Sequence, residues 1–472
     1  MEDFIYKSTM VFQCMVFLFA LYYLVISFFG LKKKCKTLKY IDPKSTFALI
    51  VPAHNEEMVI GQIIDSFMKL DYPMELFDIY VVADNCTDST KEVAKRHGAF
   101  VYERLDNEKR GKGFALEWIF NKLFEMNKKY DAVVIFDADN LASKNFLSEM
   151  NKKLEEGYSV IQGYLDSKNP HDSWITESYS IAFWTSNRLF QLGRSNLGLS
   201  NQIGGTGFCI DMNVLKKLGW STTCLTEDLE FTCKLILNGY RVGWAHDAVV
   251  YDEKPITLGQ SWKQRKRWMQ GFSDVASRFF FKLMKKAIKE NDFVAFDCAL
   301  YTLQPFIVVG FGIATIITFL QNNTNGLNIF VINYLFNPIL WQVFSIFQFL
   351  FTPFVMLIER KLSKRMFIFF GIYSLNIAAS QIKIGESHSL IPFSIVGVMF
   401  FMIIGFAVYK IEGGQSLKLF IRYLLYGFYI LTWIPITIQG ILNKNNKEWC
   451  HTKHTRQISI KEIEDMDGES AA

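Results

Sequence analysis

The chain carries no C-x-x-C pair, and its 8 cysteines lie scattered over 472 residues. That argues against a zinc site or a disulfide framework and fits a reducing cytosolic face, with some cysteines acting as small buried hydrophobes. A block of one charge sign is also missing. Lys and Arg number 51 against 46 Asp and Glu, for a net charge of +5, so nothing points to nucleic acid. No segment repeats, and no tract is of low complexity. The spacing of a P-loop is absent, which leaves ATP or GTP hydrolysis unsupported. What the chain has in excess is apolar surface: half of its residues are hydrophobic and 44 are Phe. This length allows two or three domains, and the composition suits a protein that is part membrane-embedded and part soluble.

The apolar surface is concentrated at two places. Met10 to Leu31 is an almost uncharged run long enough to span a bilayer. It lacks a small-residue cleavage site and reads as a retained anchor (residues 1–36) rather than a removable signal. Lys32, Lys33, Lys34 and Lys36 follow at once, and positive charge beside a span marks the cytoplasmic side. The pattern returns over residues 291–442, with Cys298–Leu320, Asn328–Ile358, Pro392–Tyr409 and Phe420–Ile441 as strong spans. Met366–Ile384 is weaker because it carries Ser374, Asn376, Ser380, Gln381 and Lys383. The basic loop Glu359–Arg365 reads as cytoplasmic. Four downstream spans return the tail to the cytosol and five leave it outside; four are favoured, with the weak segment interfacial or re-entrant. The tail, 443–472, is polar and ends in an acidic stretch expected to be disordered.

Between these regions, residues 45–290 read as a cytosolic α/β domain. Phe47–Pro52, Ile79–Ala83, Phe100–Tyr102 and Ala132–Phe136 are short apolar runs with strand character. Met58–Leu70, Ser89–His97 and Gly113–Asn127 repeat at helical spacing. Alternation of the two predicts a Rossmann-like, mostly parallel sheet with ligands at the carboxyl ends of its strands.

Several residues at those ends carry chemistry. Asp137 and Asp139 follow the fourth strand, and in extended backbone i and i+2 point the same way. Two hard oxygen ligands there suit Mg²⁺ or Mn²⁺ on a diphosphate, against the bland alternative of a solvated turn. Asp84 ends the second strand and is the better ligand of its cluster, since Asp88 suits an Asx turn. The turn after the first strand, with Pro52, Ala53, Asn55 and Glu56, could line a nucleotide base, whereas His54 reads as a turn or packing residue. Gly111 and Gly113 flank Lys112 at a helix start, which lets an anion approach closely. Gly204–Gly207 is a turn where backbone can approach a ligand, or simply a structural one. Thr226 is a candidate N-cap, and Glu227, Asp228 and Glu230 lie in the first turn. Glu227 and Glu230 have the alternative of merely complementing the helix dipole, a field that would help keep Asp228 ionised as a general base. Gln264, Arg267 and Trp268 fall on one helical face, while Lys263, Arg265 and Lys266 point elsewhere, preferably to lipid.

Taken in order, Val51–Glu57, Asp84, the Gly-Lys-Gly at 111–113, Asp137 with Asp139, Gly204–Gly207, Thr226–Asp228 and Gln264–Trp268 resemble the family 2 processive glycosyltransferases. That group includes the cellulose, chitin, hyaluronan and poly-N-acetylglucosamine synthases. The resemblance implies a GT-A fold joined to an α-helical transmembrane domain, in a multi-pass protein of the plasma membrane with its catalytic domain cytosolic. It implies a UDP-sugar donor, a divalent cation (Mg²⁺ or Mn²⁺), a growing polysaccharide acceptor and contact with membrane lipid. Pro52, Ala53, Asn55, Glu56, Asp84, Lys112, Asp137, Gln264 and Arg267 would bind the donor, and Asp139 with Asp137 the metal. Asp228 would be the base, with Glu227 beside it, and Trp268, Gly205, Thr206 and Gly207 would meet the acceptor. Trp449, His451, Thr452 and His454 would belong to a gating loop over the donor. No cyclic-di-nucleotide-binding domain is visible. The preferred product is a β-glucan from UDP-glucose. The alternatives are a UDP-N-acetylglucosamine-dependent synthase and a non-processive transferase acting on a lipid. A transporter and an inactive partner subunit fit less well, because the expected acids are all present.

Overall fold

In a computed structural model, the described residues are 2–33, 41–221, 224–323, 338–386, 391–445, 454 and 456–471. Strands β1 (Phe47–Ala53), β2 (Phe77–Asp84), β3 (Phe100–Arg104) and β4 (Ala132–Ile135) are the four apolar runs read from the sequence. Four more follow: β5 (Leu141–Ala142), β6 (Val160–Ser167), β7 (Phe208–Asp211) and β8 (Val242–Asp252). They form one sheet in the order β3-β2-β1-β4-β7-β6-β8-β5. The β1–β2, β1–β4, β2–β3 and β6–β8 pairs are parallel, while β7 runs antiparallel to β4 and β6, and β5 to β8.

The first strand is apolar at almost every position because both sheet faces are covered. Phe47, Leu49 and Val51 pack on one side, with Ile60, Ile63 and Phe67 of the helix Ile60–Phe67. Ala48 and Ile50 pack on the other, against Leu116, Ile119 and Phe120 of the helix Lys112–Glu125. Strands β1, β2 and β4 therefore end in one rank, and the acids that follow them share one edge.

Helix α1 (Glu2–Gly30) leads into the domain. Tyr22 of α1 donates to Asp297 Oδ1 at 2.7 Å, and Asp297 Oδ2 accepts from the buried Arg194 at 2.8 Å. Helix α2 (Leu258–Glu290) is the long connector between the sheet domain and the apolar region. There the expected span Cys298–Leu320 is broken into Phe293–Thr302 and Gln304–Asn323, bent by 61°. Pro305 explains the break, since it has no N–H to donate to the carbonyl four residues earlier. Asn328–Ile358 is helical from Pro338 onward, its first part lying outside the described residues. Met366–Ile384 is helical within Lys364–Glu386. The last two expected spans merge into α3 (Ile391–Leu431), kinked at Gly413, followed by α4 (Trp433–Leu442). Among the described residues, two helical stretches are long and apolar enough to cross a membrane, Thr9–Gly30 and Gly397–Leu442, and a third qualifies if the bent pair is one span.

Two expectations are corrected. The tail is not a disordered polymer: Ile460–Ala471 is a helix, and Ile458, Ile460 and Ile463 are buried against Leu141 and Tyr251. Arg265 does not face lipid. It is fully buried, with its guanidinium 4.3 Å from the Tyr429 ring and 5.0 Å from the Trp433 ring, donating to Thr432 Oγ1 at 3.0 Å. Lys263 stays exposed, as its helical phase demands.

Candidate functional site

The carboxyl ends of β1, β2 and β4 open onto a cavity of about 760 Å³. Its walls include Pro52, Ala53, His54 and Glu56 from the first turn, and Asp84 from the second. Lys112, Asp137, Asp139, Glu227, Gln264, Arg267 and His454 complete them, so residues 400 positions apart in sequence share one space. A volume of this size suits a ligand larger than a simple sugar.

Asp84 is buried and paired with Arg104, whose Nη1 donates to its Oδ1 at 2.6 Å. Burial raises the Asp84 pKa above the usual carboxylate value even against that guanidinium. Arg104 was not singled out from the sequence. It lies opposite Asp84 in the β2–β3 register, and only strand pairing reveals that. Its Nη2 also donates to Asp106 Oδ2 and to the Lys109 carbonyl, folding the loop that leads to Gly111.

Gly111 has φ 115°, a conformation glycine adopts without steric cost, and it turns the chain into the helix that begins at Lys112. Lys112 Nζ donates to Asp137 Oδ1 at 2.5 Å and to the Gly205 carbonyl at 2.6 Å. Burial opposes its charge, but Asp137, Glu227 and Asp228 outweigh burial and raise its pKa.

The first turn is braced rather than open. Asn55 adopts φ 55° and its Oδ1 accepts from Thr87 N at 2.8 Å, tying the turn to the one after β2. His54 Nδ1 bonds the Asp84 carbonyl at 2.7 Å, in keeping with a turn residue, while its ring also lines the cavity.

Asp139 is buried, and its Oδ2 accepts from Glu253 N at 3.0 Å. Burial would raise its pKa, yet His454 and Lys168 more than offset that, and the net shift is downward. Among the described residues, no three His, Cys, Asp or Glu side chains form a closed metal cage. Asp137 and Asp139 on the wall of a cleft that also holds Lys112 and Arg267 fit a hard cation of the Mg²⁺ type, which keeps waters and takes one or two carboxylates plus substrate phosphates.

Asp228 lies in the first turn of the helix Glu227–Leu237, next to the lining residue Glu227 but not itself in the cavity's lining. Burial, then the Glu227 carboxylate, push its carboxyl up to about 7, with Lys112 and Arg267 opposing the rise. The helix field expected to keep it ionised is thus outweighed. Thr226 occupies the N-cap position without a side-chain cap bond, because Oγ1 is engaged near Cys224 Sγ. Gly205, at φ 85°, lays its backbone against this carboxylate, since a Cβ there would sit 3.4 Å from Asp228 Oδ2. Thr206 and Gly207 turn inward. Thr206 Oγ1 accepts from Asp137 N at 3.0 Å and bonds Asn140, and Gly207 packs on Val250. They brace the Asp137 loop.

Gln264 accepts from the Tyr179 hydroxyl at 2.8 Å and, with Arg267, faces the cavity. Trp268, one turn on from Gln264, packs among Tyr179, Phe183 and Trp433, beside the cavity rather than in its lining. Of the expected gating loop, Trp449, His451 and Thr452 lie outside the described residues. His454 lies in the cavity, with Nδ1 3.0 Å from Glu56 Oε1 and Nε2 4.0 Å from Asp139 Oδ2. Burial disfavours its charge, but Asp139, Glu56 and Glu253 prevail and push its pKa up to about 10.

The family described as Glycosyltransferase like family 2 matches residues 43–271. That segment is a family 2 glycosyltransferase-like domain. The chain is 30% identical over 256 residues to a probable glycosyltransferase of Bacillus subtilis (strain 168), YdaM, a match covering 51% of this chain. It is 28% identical over 251 residues to the poly-beta-1,6-N-acetyl-D-glucosamine synthase of Staphylococcus aureus (strain COL), covering 52% of this chain. Both matches span 59% of the relative's own length. Among solved structures, a mannosyltransferase from Pyrobaculum calidifontis in complex with GDP-Man and Mn2+ superposes with a TM-score of 0.50 at 16% identity, covering 94% of this chain and 99% of that one. The family 2 domain therefore has the mixed, mostly parallel, Rossmann-like GT-A fold, followed by a helical carboxy-terminal region.

Proposed function

We propose that the chain is an inverting membrane glycosyltransferase that takes a UDP-sugar and extends a β-linked polysaccharide, passing it into its own helical region. The observation that carries this reading is the single cavity shared by Asp84, Lys112, Asp137, Asp139, Glu227, Gln264 and Arg267, with Asp228 adjoining it through Glu227 and within the electrostatic reach of Lys112 and Arg267. Asp84 and the first turn take the nucleoside, and Lys112 and Arg267 meet the diphosphate. Asp137 and Asp139 hold a divalent cation, which when bound supplies positive charge against the departing diphosphate. The P. calidifontis mannosyltransferase, with Mn2+ in its complex, supports the cation. Asp228 takes the proton of the acceptor hydroxyl as that oxygen attacks the anomeric carbon, and the bond to UDP breaks in the same displacement. Trp268, Gly205 and their neighbours flank the acceptor side, and several crossings anchor the enzyme with its catalytic domain in the cytosol.

The S. aureus synthase makes UDP-N-acetylglucosamine the first donor to test, ahead of UDP-glucose. Full-length protein in detergent is incubated with Mn²⁺ or Mg²⁺ and each radiolabelled donor, and the product is sized. A long polymer is the expected result. A labelled lipid would instead support a non-processive enzyme, and no transfer from any UDP-sugar overturns the reading.

A further inference from the structure

Residues 200–207 lead from the helix Leu192–Leu197 to β7. The backbone N–H groups from Asn201 to Gly204 are each engaged. Asn201 N donates to the Val242 carbonyl at 2.9 Å, and Gln191 Oε1 accepts from Gln202 N at 3.2 Å. Thr232 Oγ1 accepts from Ile203 N at 3.3 Å, and Gln162 Oε1 from Gly204 N at 2.8 Å. Gln191 Nε2 also donates to the Gln202 carbonyl at 3.1 Å. Buried polar groups are matched in this way because an unpaired one loses the hydrogen bonds it made to water.

The Gln202 side chain breaks that rule. It is 3% exposed, and neither Oε1 nor Nε2 has a hydrogen-bond partner among the described residues. A carboxamide offers two N–H donors and a carbonyl acceptor, so its whole capacity is taken out of water without being used. Gln162 and Gln191, which grip the same segment, use both ends of theirs.

Gln202 lies between two features of the acceptor side. Gly205, three residues on, lays its backbone against the Asp228 carboxylate. The Thr232 hydroxyl that receives Ile203 N donates in turn to the Asp228 carbonyl at 2.9 Å. In the other direction, Tyr179, Phe183, Asn187 and Gln191 recur every fourth residue along the helix Trp174–Ser186 and the π turn Asn187–Gln191 that continues it. Tyr179 and Phe183 pack on Trp268, Asn187 Nδ2 donates to the Leu165 carbonyl at 2.8 Å, and Gln191 holds Gln202. One helical face therefore runs from Trp268 to Gln202.

We propose that the Gln202 carboxamide is an acceptor-binding group, which pairs with a neighbouring donor and acceptor on a sugar of the growing chain, an acetamido group or vicinal hydroxyls. The proposal rests on the reading of Gly205 and Trp268 as the acceptor side. An acetamido group presents an N–H and a C=O that match both ends of a carboxamide, and vicinal hydroxyls present the same pair on adjacent atoms. The anchored backbone sets the amide in place before the sugar arrives, which lowers the ordering cost of binding.

The test uses the full chain in detergent carrying Gln202→Met, which keeps the length of the side chain and removes its hydrogen bonds, or Gln202→Leu. Each is given Mn²⁺, UDP-N-acetylglucosamine or UDP-glucose, and a β-linked pentamer of N-acetylglucosamine or of glucose. Both variants are expected to raise the acceptor KM about tenfold, the effect of losing net hydrogen bonds to the sugar. UDP affinity by titration calorimetry should stay within about twofold of wild type. The thermal midpoint should equal or exceed that of wild type, because an unpaired amide is no longer buried. A penalty confined to the N-acetylglucosamine pentamer assigns the acetamido group as partner, and an equal penalty with both pentamers assigns hydroxyls. An unchanged acceptor KM overturns the proposal. So does a midpoint that falls in both variants, which would place the amide's partners within the protein, or a loss of UDP affinity in place of the acceptor effect. Wild-type protein that transfers sugar to neither pentamer overturns the acceptor reading itself, a result separable from the others because the wild type is what fails.

Discussion

Asp228 meets two demands that pull against each other. A general base must be ionised at the working pH, yet it must hold a proton well enough to take one from a sugar hydroxyl. Burial and Glu227 raise its carboxyl to about 7, while Lys112 and Arg267 limit that rise. The sign follows directly. Below pH 7 the carboxyl is protonated and cannot accept, so kcat/KM for transfer falls about tenfold per pH unit on the acid side and flattens above. Asp228→Asn should lose about 10²–10⁴-fold in kcat, the usual contribution of a positioned base, and should still bind UDP. Near-normal turnover, or an acid limb unchanged in what activity remains, would remove Asp228 from this role. Asp84 shows what a residue-by-residue reading cannot supply. Its place at a strand end is legible in the sequence, but the Arg104 that neutralises it is 20 positions away and becomes a neighbour only through the β2–β3 register.

At the level of elements, strands β1, β2 and β4 were legible because each is an apolar run buried on both faces, whereas β3, at the sheet edge, is half exposed and showed only in its short run Phe100–Tyr102. Strand β6 was not legible, although every one of its residues is buried. It carries Gln162, Asp166 and Ser167, and polar residues in a core strand read as loop. They are tolerated because each is matched: Gln162 Nε2 donates to the Thr206 carbonyl at 2.9 Å, and Asp166 Oδ1 accepts from Trp184 at 2.6 Å. The terminal helix was missed for the opposite reason: its acids are visible, and the surface that receives its isoleucines is not. Arg265 belongs to the same class. Its helical phase relative to Gln264 and Arg267 is right, but lipid was the wrong neighbour, because α3 and α4 close over that face of α2. Gly440 allows the contact, since a Cβ there would lie 2.4 Å from Met269 Cβ. The guanidinium then sits at the break between α3 and α4, against Tyr429, Thr432 and Trp433. Arg265→Ala leaves a hole among rings and should cost roughly 2–5 kcal/mol, the range of large-to-alanine changes in a packed core. Arg265→Lys keeps the charge but not the flat stack and should recover only part of it. Thermal unfolding followed by tryptophan fluorescence reads both, and an unchanged midpoint for the alanine variant would show that the box holds nothing together.

The whole molecule can be followed by the points at which the helical region returns to the family 2 domain. Glu359 accepts from Tyr164 at 2.9 Å and from Arg188 at 3.0 Å, and Lys361 pairs with Asp166 at 3.0 Å. Glu412 meets Ser363 at 3.0 Å, at the level of that same loop. Arg422 reaches Glu177 at 2.9 Å, and the Asn443 carbonyl accepts from Gln270 at 3.0 Å. If the helical region is embedded as proposed, the chain must cross an even number of times between residues 290 and 359 and again between 363 and 412. The stretch from 412 to 443 then runs along the domain's face. The tail from Arg456 onward lies on the domain itself. Four crossings after the domain fit these contacts only if Met366–Ile384 crosses and Phe420–Ile441 does not, the reverse of the roles expected from the sequence. Five would strand the tail on the far side from Leu141 and Tyr251. A membrane-impermeant thiol reagent applied to intact cells distinguishes the two. Cysteines introduced at Ser459 and at Arg360 should both resist labelling until the membrane is permeabilised, because both sit on the side of the catalytic domain behind the lysines that follow α1. Labelling of the Ser459→Cys variant in sealed cells, with Arg360→Cys protected, would require an odd crossing after residue 363. That outcome is incompatible with a tail packed against Leu141 and Tyr251.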